Sequence, residues 1–461
     1  MSIKFPLASI LLMAALASTA SGQPPDAPDL AGTATDLTQQ LIARKFDAVV
    51  SQFDQTMTTA MPVPKLAAFW DGTIAQHGAF QAITALAPPQ LIQGYQVVVV
   101  TAKFQKDALN LKWVFDAKGR VAGFFVVPAE AVSKWTPPGY AHRSSFHELP
   151  VTVGDSPWQL PGTLTLPNGD GPFPAVVLVA GSGPQDEDES IADNKPFKDI
   201  AWGLASQGIA VLRYNKRTLQ YTEQLKLGDA GFTVNQETVD DARAAVSLLC
   251  ARLEVDSRRI FVLGHSLGGM LAPRIAQGDP QVAGLVILAG TTRPVERALA
   301  EQVKYTSSLQ GKITPAEKKQ IDDAQTFAKQ VESPHLTPDE RLDLMGSTIP
   351  GSYFLDLRDY RPAEVAAKLA IPMLVLRGDR DYQVTQEDFD GWKKALARSP
   401  DVTFKVYPGL FHLFMPSSSP GTGLGAPADY QVPGHVIAPV IDDIAVWIKA
   451  QKPPAPPTST P

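Results

Sequence analysis

Hydrophobic and polar positions follow two different patterns along this chain. From residue 146 onward, short apolar runs with the character of strands are separated mostly by amphipathic stretches with helical spacing. The runs include FHELPVTVG, WQLPGTLTLP, FPAVVLVAGSG, GIAVLRYN, RRIFVLGHS, VAGLVILAG, IPMLVLRGD and VTFKVYPG. Buried strands that alternate with amphipathic helices predict an α/β fold, a mostly parallel sheet with helices on both faces.

The preceding residues have a different order of elements. TDLTQQLIARKFDAVVSQFD carries apolar residues at helical spacing, and VPKLAAFWDGTIAQHG fits a second helix. The period then shortens to two, and YQVVVVTAKFQ and LNLKWVFDAKGRVAGFFVVP predict antiparallel strands. Helices followed by strands predict a small α+β domain over residues 30–128, ahead of a second domain over residues 129–452.

Both ends of the chain predict segments outside these domains. Lys4, an apolar stretch and then small residues form the pattern of a secretory signal peptide over residues 1–22. An uncleaved anchor is the alternative, but the apolar stretch is short for a membrane span. We therefore expect a periplasmic or secreted protein with no stable membrane insertion after cleavage. The proline-rich residues 453–461 predict a disordered tail.

Composition excludes some partners. The formal net charge of −6 and the lack of a long basic run argue against nucleic acid. The single cysteine, Cys250, cannot form an internal disulfide, and its amphipathic surroundings predict a small buried core residue.

Ser266 stands where a predicted strand gives way to a predicted helix. It is the serine of a G-x-S-x-G motif over residues 264–268. In a strand–turn–helix setting the two glycines permit a close approach of strand and helix, and the serine hydroxyl projects above the sheet edge as a nucleophile. The helix N-terminus favours negative charge nearby. The alternative is a glycine-rich turn with an incidental serine.

A serine nucleophile needs a base and an orienting carboxylate, which in this setting follow in the order Ser, Asp, His. Asp379 and Asp381 both follow the strand IPMLVLR, and we prefer Asp381; the other would pair with Arg380 or a backbone donor. His412 follows the last strand and is the predicted base. Two other histidines do not fit: His335 precedes the aspartate, and His435 lies in a stretch rich in Pro, Gly and Ala.

An oxyanion hole would need two backbone N–H groups. Leu267, directly after the nucleophile, is one predicted donor, and Ser182 or Gly183 in the glycine-rich loop VAGSGPQDEDES is the other. The acidic residues 186–189 of that loop are interpreted as a solvated face or helix-start charges, so we predict no metal and no cofactor. We expect basic residues at the end of another strand, in VLRYNKRT, to pair with these carboxylates and brace the loop: Arg213, Lys216 and Arg217. His265 is interpreted as packing or pocket lining.

A long insertion over residues 291–369 separates two of the predicted strands. ERALAEQVKYTSSLQ, TPAEKKQIDDAQTFAKQVE and TPDERLDLMGS predict three helices of a cap over the site. Its aromatic side chains are candidates either for the pocket wall or for packing within the cap: Tyr305, Tyr353, Phe354 and Tyr360.

GHSLGG, GDRDYQV and GLFHLF resemble the α/β-hydrolase superfamily, in particular the bacterial esterases related to dienelactone hydrolase and the serine aminopeptidase-like hydrolases. ARKFDAVVSQFD and VFDAKGRVAGFFVVP resemble the DUF3887-type domain that precedes some secreted members. Two departures stand in the glycine-rich loop: Ala180, where members commonly have His, and Asp186–Glu187–Asp188, where they tend to have Asp-Arg-Asp.

The resemblance and the motifs together predict a serine carboxylesterase that cleaves small to medium acyl esters through an acyl-enzyme. A peptidase, an aminopeptidase-like enzyme or an acyl-thioester hydrolase with the same triad is the first alternative. A non-catalytic binding protein on a hydrolase scaffold is the second. The small N-terminal domain is a candidate for homodimerisation.

Overall fold

A computed structural model of the chain describes residues 29–87, 89–92, 95–129, 135–222, 224–225, 231–309, 311–344, 347–419, 421 and 423–452. The chain divides into two units between residues 134 and 135. The predicted signal peptide over 1–22 and the predicted tail over 453–461 lie outside the described residues. None of the described helices is both long enough and apolar enough to cross a bilayer.

The first unit is an antiparallel sheet preceded by helices. Its described elements are α1 (Leu30–Ile42), α2 (Phe46–Val50), α3 (Gln55–Ala60), α4 (Val63–His77), β1 (Phe80–Leu86), β2 (Gln90–Ile92), β3 (Tyr95–Phe104), β4 (Ala108–Phe115) and β5 (Val121–Pro128). The strand order is β1-β3-β4-β5, and β2 also pairs with β3. In the core, Trp113 Nε1 donates to Thr38 Oγ1 over 2.9 Å, which satisfies the buried indole N–H.

The helix predicted over TDLTQQLIARKFDAVVSQFD is not continuous, so that prediction is wrong in its extent. Arg44 has a φ of 60°, which ends the helical path after α1, and its guanidinium binds Asp71 in α4 over 2.6 Å. Leu41, before the turn, and Phe46, after it, are both buried in the core of this unit. Asp54 then caps α3 by accepting from the Met57 N–H.

The second unit contains the alternating elements. They are β6 (Phe146–Val153), β7 (Leu160–Pro167), β8 (Phe173–Val179), α5 (Pro196–Ala205), β9 (Ala210–Tyr214), α6 (Arg217–Gln220), α7 (Asp240–Cys250), β10 (Val255–His265), α8 (Leu267–Gln277), β11 (Val282–Leu288), α9 (Val295–Ser308), α10 (Pro315–Glu332), β12 (Arg341–Leu344), β13 (Ser347–Pro350), α11 (Gly351–Arg358), α12 (Pro362–Ala366), β14 (Met373–Gly378), α13 (Gln386–Ala395), β15 (Val402–Tyr407) and α14 (Ala438–Ala450). A π-helical turn over Asn235–Val239 leads into α7.

The large sheet has the order β15-β14-β11-β10-β8-β9-β7-β6. Strands from β15 to β9 pair in parallel, while β7 runs antiparallel to both β9 and β6. Side chains of β8 alternate between two buried clusters, Val177 and Val179 on one face and Val176 and Leu178 on the other. The prediction of an α/β sheet covered on both faces is confirmed. The loops after β8, β10, β14 and β15 follow the carboxyl ends of parallel strands, where sites form in such sheets.

The insertion between β11 and β14 is only partly helical as predicted. Helices α9 and α10 match the first two predicted helices, and a capping box of Thr314 and Glu317 opens α10. The predicted helix over TPDERLDLMGS is wrong, because its second half is the strand β12, which pairs with β13 in a hairpin. Leu342 is buried between the exposed Arg341 and Asp343, an alternation of period two that suits a strand.

Candidate active site

Ser266 occupies a sharp turn between β10 and α8. Its φ of 53° and ψ of −115° lie where side chains other than glycine are strained. The turn is held by backbone hydrogen bonds of 2.9 Å from the Ser266 N–H to Leu288 O and from the Met270 N–H to Ser266 O. The strain is therefore maintained by the surrounding sheet and helix, and the serine stands at the carboxyl edge of the sheet.

The flanking glycines are required by the close approach that the motif predicts. A Cβ on Gly264 would lie 2.1 Å from Gly268 O, and a Cβ on Gly268 would lie 2.1 Å from Val179 O. Both contacts are with backbone, which cannot move aside without disturbing β8 or α8. The expectation that no side chain fits at either position is confirmed.

Asp381 and His412 come together in the loops after β14 and β15. Asp381 Oδ2 and His412 Nδ1 are 2.7 Å apart, and both residues are buried. The other oxygen of Asp381 accepts from the N–H groups of Gln383 and Val384. Among the described residues, neither Ser266 Oγ nor His412 Nε2 has a hydrogen-bond partner. Nucleophile–base contacts are often loose without substrate, so this geometry is compatible with a triad.

The rival carboxylate and the other histidines have different partners. Asp379 Oδ1 accepts from the Gly409 N–H over 2.7 Å, one of the alternatives expected for the aspartate that does not bind the histidine. His435 Nδ1 lies 3.1 Å from the buried Asp199. His335 is exposed. Among these candidate aspartates and histidines, Asp381 and His412 are therefore the two that pair with each other.

The loop after β8, residues 180–190 and hereafter the β8 loop, lies against Ser266. An ideal Cβ on Gly181 would be only 3.2 Å from Ser266 Cβ. The Gly181 N–H is engaged within the loop, since it donates to Glu189 Oε1 over 2.7 Å. Ser182 and Gly183, the predicted donors, follow directly; Ser182 is exposed and Gly183 has a φ of 84°. Leu267 is the first residue of α8 and is buried.

Comparison with known proteins identifies the family. The chain is 38% identical to esterase EstD of Thermotoga maritima over 411 residues, which is 89% of this chain and 93% of EstD. The chain belongs to this esterase family. It is a hydrolase of the α/β-hydrolase superfamily.

Family profiles match the two units separately. The profile described as a protein of unknown function, DUF3887, matches residues 34–124, and that described as serine aminopeptidase, S33, matches residues 194–416. The predicted resemblance to this branch of the superfamily is confirmed. A plant relative, the α/β-hydrolase domain-containing protein WAV2 of Arabidopsis thaliana, is 26% identical over 186 residues, 40% of this chain and 50% of that protein.

Solved structures of esterases are more distant. Est1E from Butyrivibrio proteoclasticus aligns with a TM-score of 0.41 at 16% identity, over 65% of this chain and 99% of that chain. An esterase from Pyrobaculum calidifontis aligns with a TM-score of 0.43 at 17% identity, over 66% of this chain and 85% of that chain.

The basic residues in and after β9 brace this esterase's β8 loop, but only partly as expected. The buried Arg213 binds Asp188 over 2.9 Å and Glu148 over 2.7 Å. Burial raises the pKa of Asp188, but the charges of Arg213 and of nearby lysines outweigh it and lower the pKa overall. Arg217 binds Asp241 and Lys216 binds Glu237, neither of which belongs to the acidic run, so the expected pairing is wrong for these two residues. Within the described ranges, no three His, Cys, Asp or Glu side chains are grouped to hold a metal ion.

Lys216 joins the β8 loop to the insertion between β11 and β14, which keeps the name cap from its prediction. Its Nζ donates to Gly181 O over 2.8 Å and to Glu237 Oε1 over 2.7 Å. The hydroxyl of Tyr353 in α11 donates to the other oxygen of Glu237 over 2.6 Å. Burial and the adjacent Glu237 hold the pKa of Tyr353 well above its ordinary value, so this hydroxyl keeps its proton. A buried chain of three side chains thus runs from the cap to the backbone beside Ser266.

The other aromatic side chains of the cap pack within the protein. Phe354 lies in the hydrophobic core, and Tyr360 donates to Met270 O in α8 over 2.7 Å. Tyr305 stacks on Tyr382 and donates to Gly425 O. The partners of Tyr305 and Tyr360 lie outside residues 291–369, so the prediction of packing within the cap is wrong for these two residues, and the pocket-wall alternative stays a prediction.

Three interpretations from the sequence need correction. The acidic residues 186–189 are not a solvated face, because Asp188 and Glu189 are buried and bind Arg213 and His265. Cys250, at the end of α7, is only half-buried, and burial raises the pKa of its thiol, which disfavours a reactive thiolate. His265 is buried, but it does more than pack: its Nδ1 lies 2.9 Å from Glu189 Oε1. The two residues are 76 positions apart. The only signal in the sequence is that both stand beside glycine-rich turns at strand ends, where loops converge.

Proposed function

We propose that the chain is a carboxylesterase that cleaves small to medium acyl esters through an acyl-enzyme on Ser266. The observation that carries the proposal is the pairing of Asp381 with His412 at the sheet edge where the strained Ser266 stands. The 38% identity to EstD over most of both chains supports an ester as substrate. The proposed catalytic residues are Ser266, His412 and Asp381.

The first half of the reaction forms the acyl-enzyme. Ser266 Oγ attacks the ester carbonyl carbon while His412 Nε2 takes the hydroxyl proton. Asp381 holds the imidazole by its Nδ1–H and stabilises the imidazolium. The carbonyl oxygen becomes an oxyanion, which the N–H groups of Leu267 and of Ser182 or Gly183 bind. As the tetrahedral intermediate collapses, the C–O bond to the alcohol breaks and His412 donates its proton to the leaving oxygen.

The second half repeats these roles with water. His412 takes a proton from a water molecule, the resulting hydroxide attacks the acyl carbon, and the same N–H groups bind the second oxyanion. Collapse returns the proton to Ser266 and releases the carboxylic acid. The neighbouring helix N-terminus of α8 favours the negative charge at both stages.

The enzyme is, in this proposal, exported to the periplasm or the medium. The support is the order of residues 1–22: a basic residue, an apolar stretch and then small residues. N-terminal sequencing of protein recovered outside the cytoplasm tests it. A mature chain that begins near residue 21 or 23 is expected, and an intact Met1 in the membrane fraction would contradict export as a soluble protein.

The deciding experiment is hydrolysis of p-nitrophenyl esters from acetate to laurate by the wild type and Ser266→Ala. We expect turnover of short chains by the wild type and a loss of roughly four orders of magnitude or more in kcat for the variant. Ser308→Ala, an exposed serine in α9, is the matched control and should retain both activity and fluorophosphonate labelling.

Two other outcomes would redirect the proposal. The serine aminopeptidase profile favours a test of aminoacyl amides, and cleavage of amides but not esters would move the same triad to a peptidase. If the protein shows no hydrolysis and Ser266 is not labelled, the remaining alternative is a binding protein on a hydrolase scaffold.

A further inference from the structure

His265 and Glu189 form a buried pair between the β8 loop and the loop that carries His412. Glu189 is 2% exposed and His265 is 5% exposed. Glu189 Oε1 lies 2.9 Å from His265 Nδ1 and also accepts from the Gly181 N–H over 2.7 Å. On the other side of the ring, His265 Nε2 lies 3.1 Å from His412 O. One imidazole therefore contacts both loops that flank Ser266.

The hydrogen-bond partners of this ring favour the imidazolium. Nε2 faces the carbonyl oxygen of His412 and must donate to it, and Nδ1 faces Glu189 Oε1, to which it donates when Glu189 is a carboxylate. A neutral imidazole has only one N–H, whereas the imidazolium has two. Burial alone disfavours the charged ring, but the charge and hydrogen bond of Glu189, with the His412 carbonyl and the charge of Asp381, raise the pKa of His265.

The charge of the Glu189 carboxylate affects the proposed reaction because this side chain lies near Ser266. An ideal Cβ on Gly181 would lie 3.1 Å from Glu189 Oε1 and 3.2 Å from Ser266 Cβ, so the carboxylate is close to the proposed nucleophile. An uncompensated negative charge there would oppose an oxyanion, and in a buried site the penalty is larger than in water. The adjacent imidazolium compensates it.

We propose that Glu189 and His265 are positioning residues, whose buried ion pair fixes the β8 loop at Gly181 and the backbone of His412 around Ser266. This role rests on the proposed esterase function. The pair touches no reacting atom. It acts through the N–H groups that bind the oxyanion and through the placement of the base.

The first test is the ring of His265 in the wild-type protein. Nitrogen-detected NMR of histidine-labelled protein, with His265→Gln used to assign the signal, should show an imidazolium with two N–H groups at pH 7. A neutral His265 at pH 6 would overturn the proposal without any catalytic variant.

The second test compares two variants, each of which replaces a buried carboxylate with the corresponding amide. Glu189→Gln keeps an oxygen for the Gly181 N–H but removes the charge. Asp199→Asn is the matched control, because the buried Asp199 also binds a histidine, His435, and a backbone N–H, that of Val436. We expect Glu189→Gln to lower kcat on p-nitrophenyl acetate roughly 10- to 100-fold with KM changed less than threefold. Asp199→Asn should stay within about threefold of the wild type.

The pH profile separates positioning from a general loss of stability. Activity that needs the His265 imidazolium is present below its pKa and lost as pH rises through it. Glu189→Gln removes the main group that raises this pKa, so the alkaline limb of kcat should move to lower pH. If both variants lose the same small amount of kcat and their pH profiles do not shift, the positioning role is wrong while the proposed esterase function stands. Wild-type protein that neither hydrolyses esters nor takes the fluorophosphonate label would instead end the proposed function.

Discussion

Two carboxylate–histidine pairs lie side by side at the edge of the large sheet, and they are built for different purposes. Their rings, of His412 and His265, are 4.6 Å apart between centroids. His412 contacts Asp381 through Nδ1, and no partner for its Nε2 exists among the described residues. His265 has both nitrogens against acceptors. A ring with one nitrogen available can transfer a proton, while a ring with both engaged can only hold its neighbours.

The largest effect should come from removing the ring with the available nitrogen. His412→Gln is expected to lower kcat by roughly four to six orders of magnitude, because the variant has no base for Ser266. His265→Gln should cost only about 10- to 100-fold. Steady-state hydrolysis of p-nitrophenyl acetate by both variants measures the difference. Similar losses in the two would mean that the rings do not have separate roles.

The carboxylate that orients His412 gives the next largest effect. Asp381→Asn should lower kcat by about 10⁴-fold, because the amide favours the wrong tautomer of the imidazole. Asp379→Asn retains an oxygen for the Gly409 N–H and should stay within about threefold of the wild type. Reversal of the two results would transfer the orienting role to Asp379.

A smaller loss is expected where the β8 loop is braced. Lys216→Met removes the cation that binds Gly181 O and leaves the buried Glu237 without its ion-pair partner. Loss of one member of a buried pair costs about 3–5 kcal/mol of stability, and we expect a decrease of roughly tenfold in kcat. Denaturant unfolding and kinetics measure the two quantities. The double variant with Glu237→Gln should recover part of the stability; no recovery would argue against the pairing.

The smallest effect is the pH dependence of stability from His265. Its pKa is raised above the ordinary value of 6.5, so the pair's contribution is fully present below pH 6.5 and is lost as pH rises through the folded-state value. We expect the Tm of the wild type to fall by a few degrees more than that of Glu189→Gln over the alkaline range. Thermal unfolding from pH 6 to 9 checks it, and parallel curves would count against the charged pair.

The sequence predicts one member of this comparison and misses the other for a physical reason. Ser266, Asp381 and His412 each follow a predicted strand, and parallel strands bring their carboxyl ends to one edge. Glu189 stands in a run of four acidic residues, where nothing local distinguishes it from Asp186 or Glu187. Only the fold shows that its side chain turns inward to a histidine 76 positions away.

The same limit explains the two errors in secondary structure. Helical spacing over TDLTQQLIARKFDAVVSQFD is genuine, but the left-handed Arg44 and the contacts of α1 and α2 with one core divide it. In the cap, the stretch around Leu342 is too short for its sequence pattern to separate a period of two from a period of 3.6. Pairing with β13 makes it a strand. Long-range contacts, which local patterns do not contain, determined both outcomes.

The hydrogen bond from Tyr353 to Glu237 limits how this scaffold can be recombined. A chimaera that imports the cap of a relative without a hydroxyl at position 353 would leave a carboxylate oxygen of Glu237 buried and without its donor. The change at Glu237 would alter its hydrogen bond with Lys216, and therefore the hydrogen bond from Lys216 to Gly181 O beside Ser266. Tyr353 should therefore be retained when the cap is exchanged to change acyl-chain preference, because its hydroxyl supports residues next to the proposed active site.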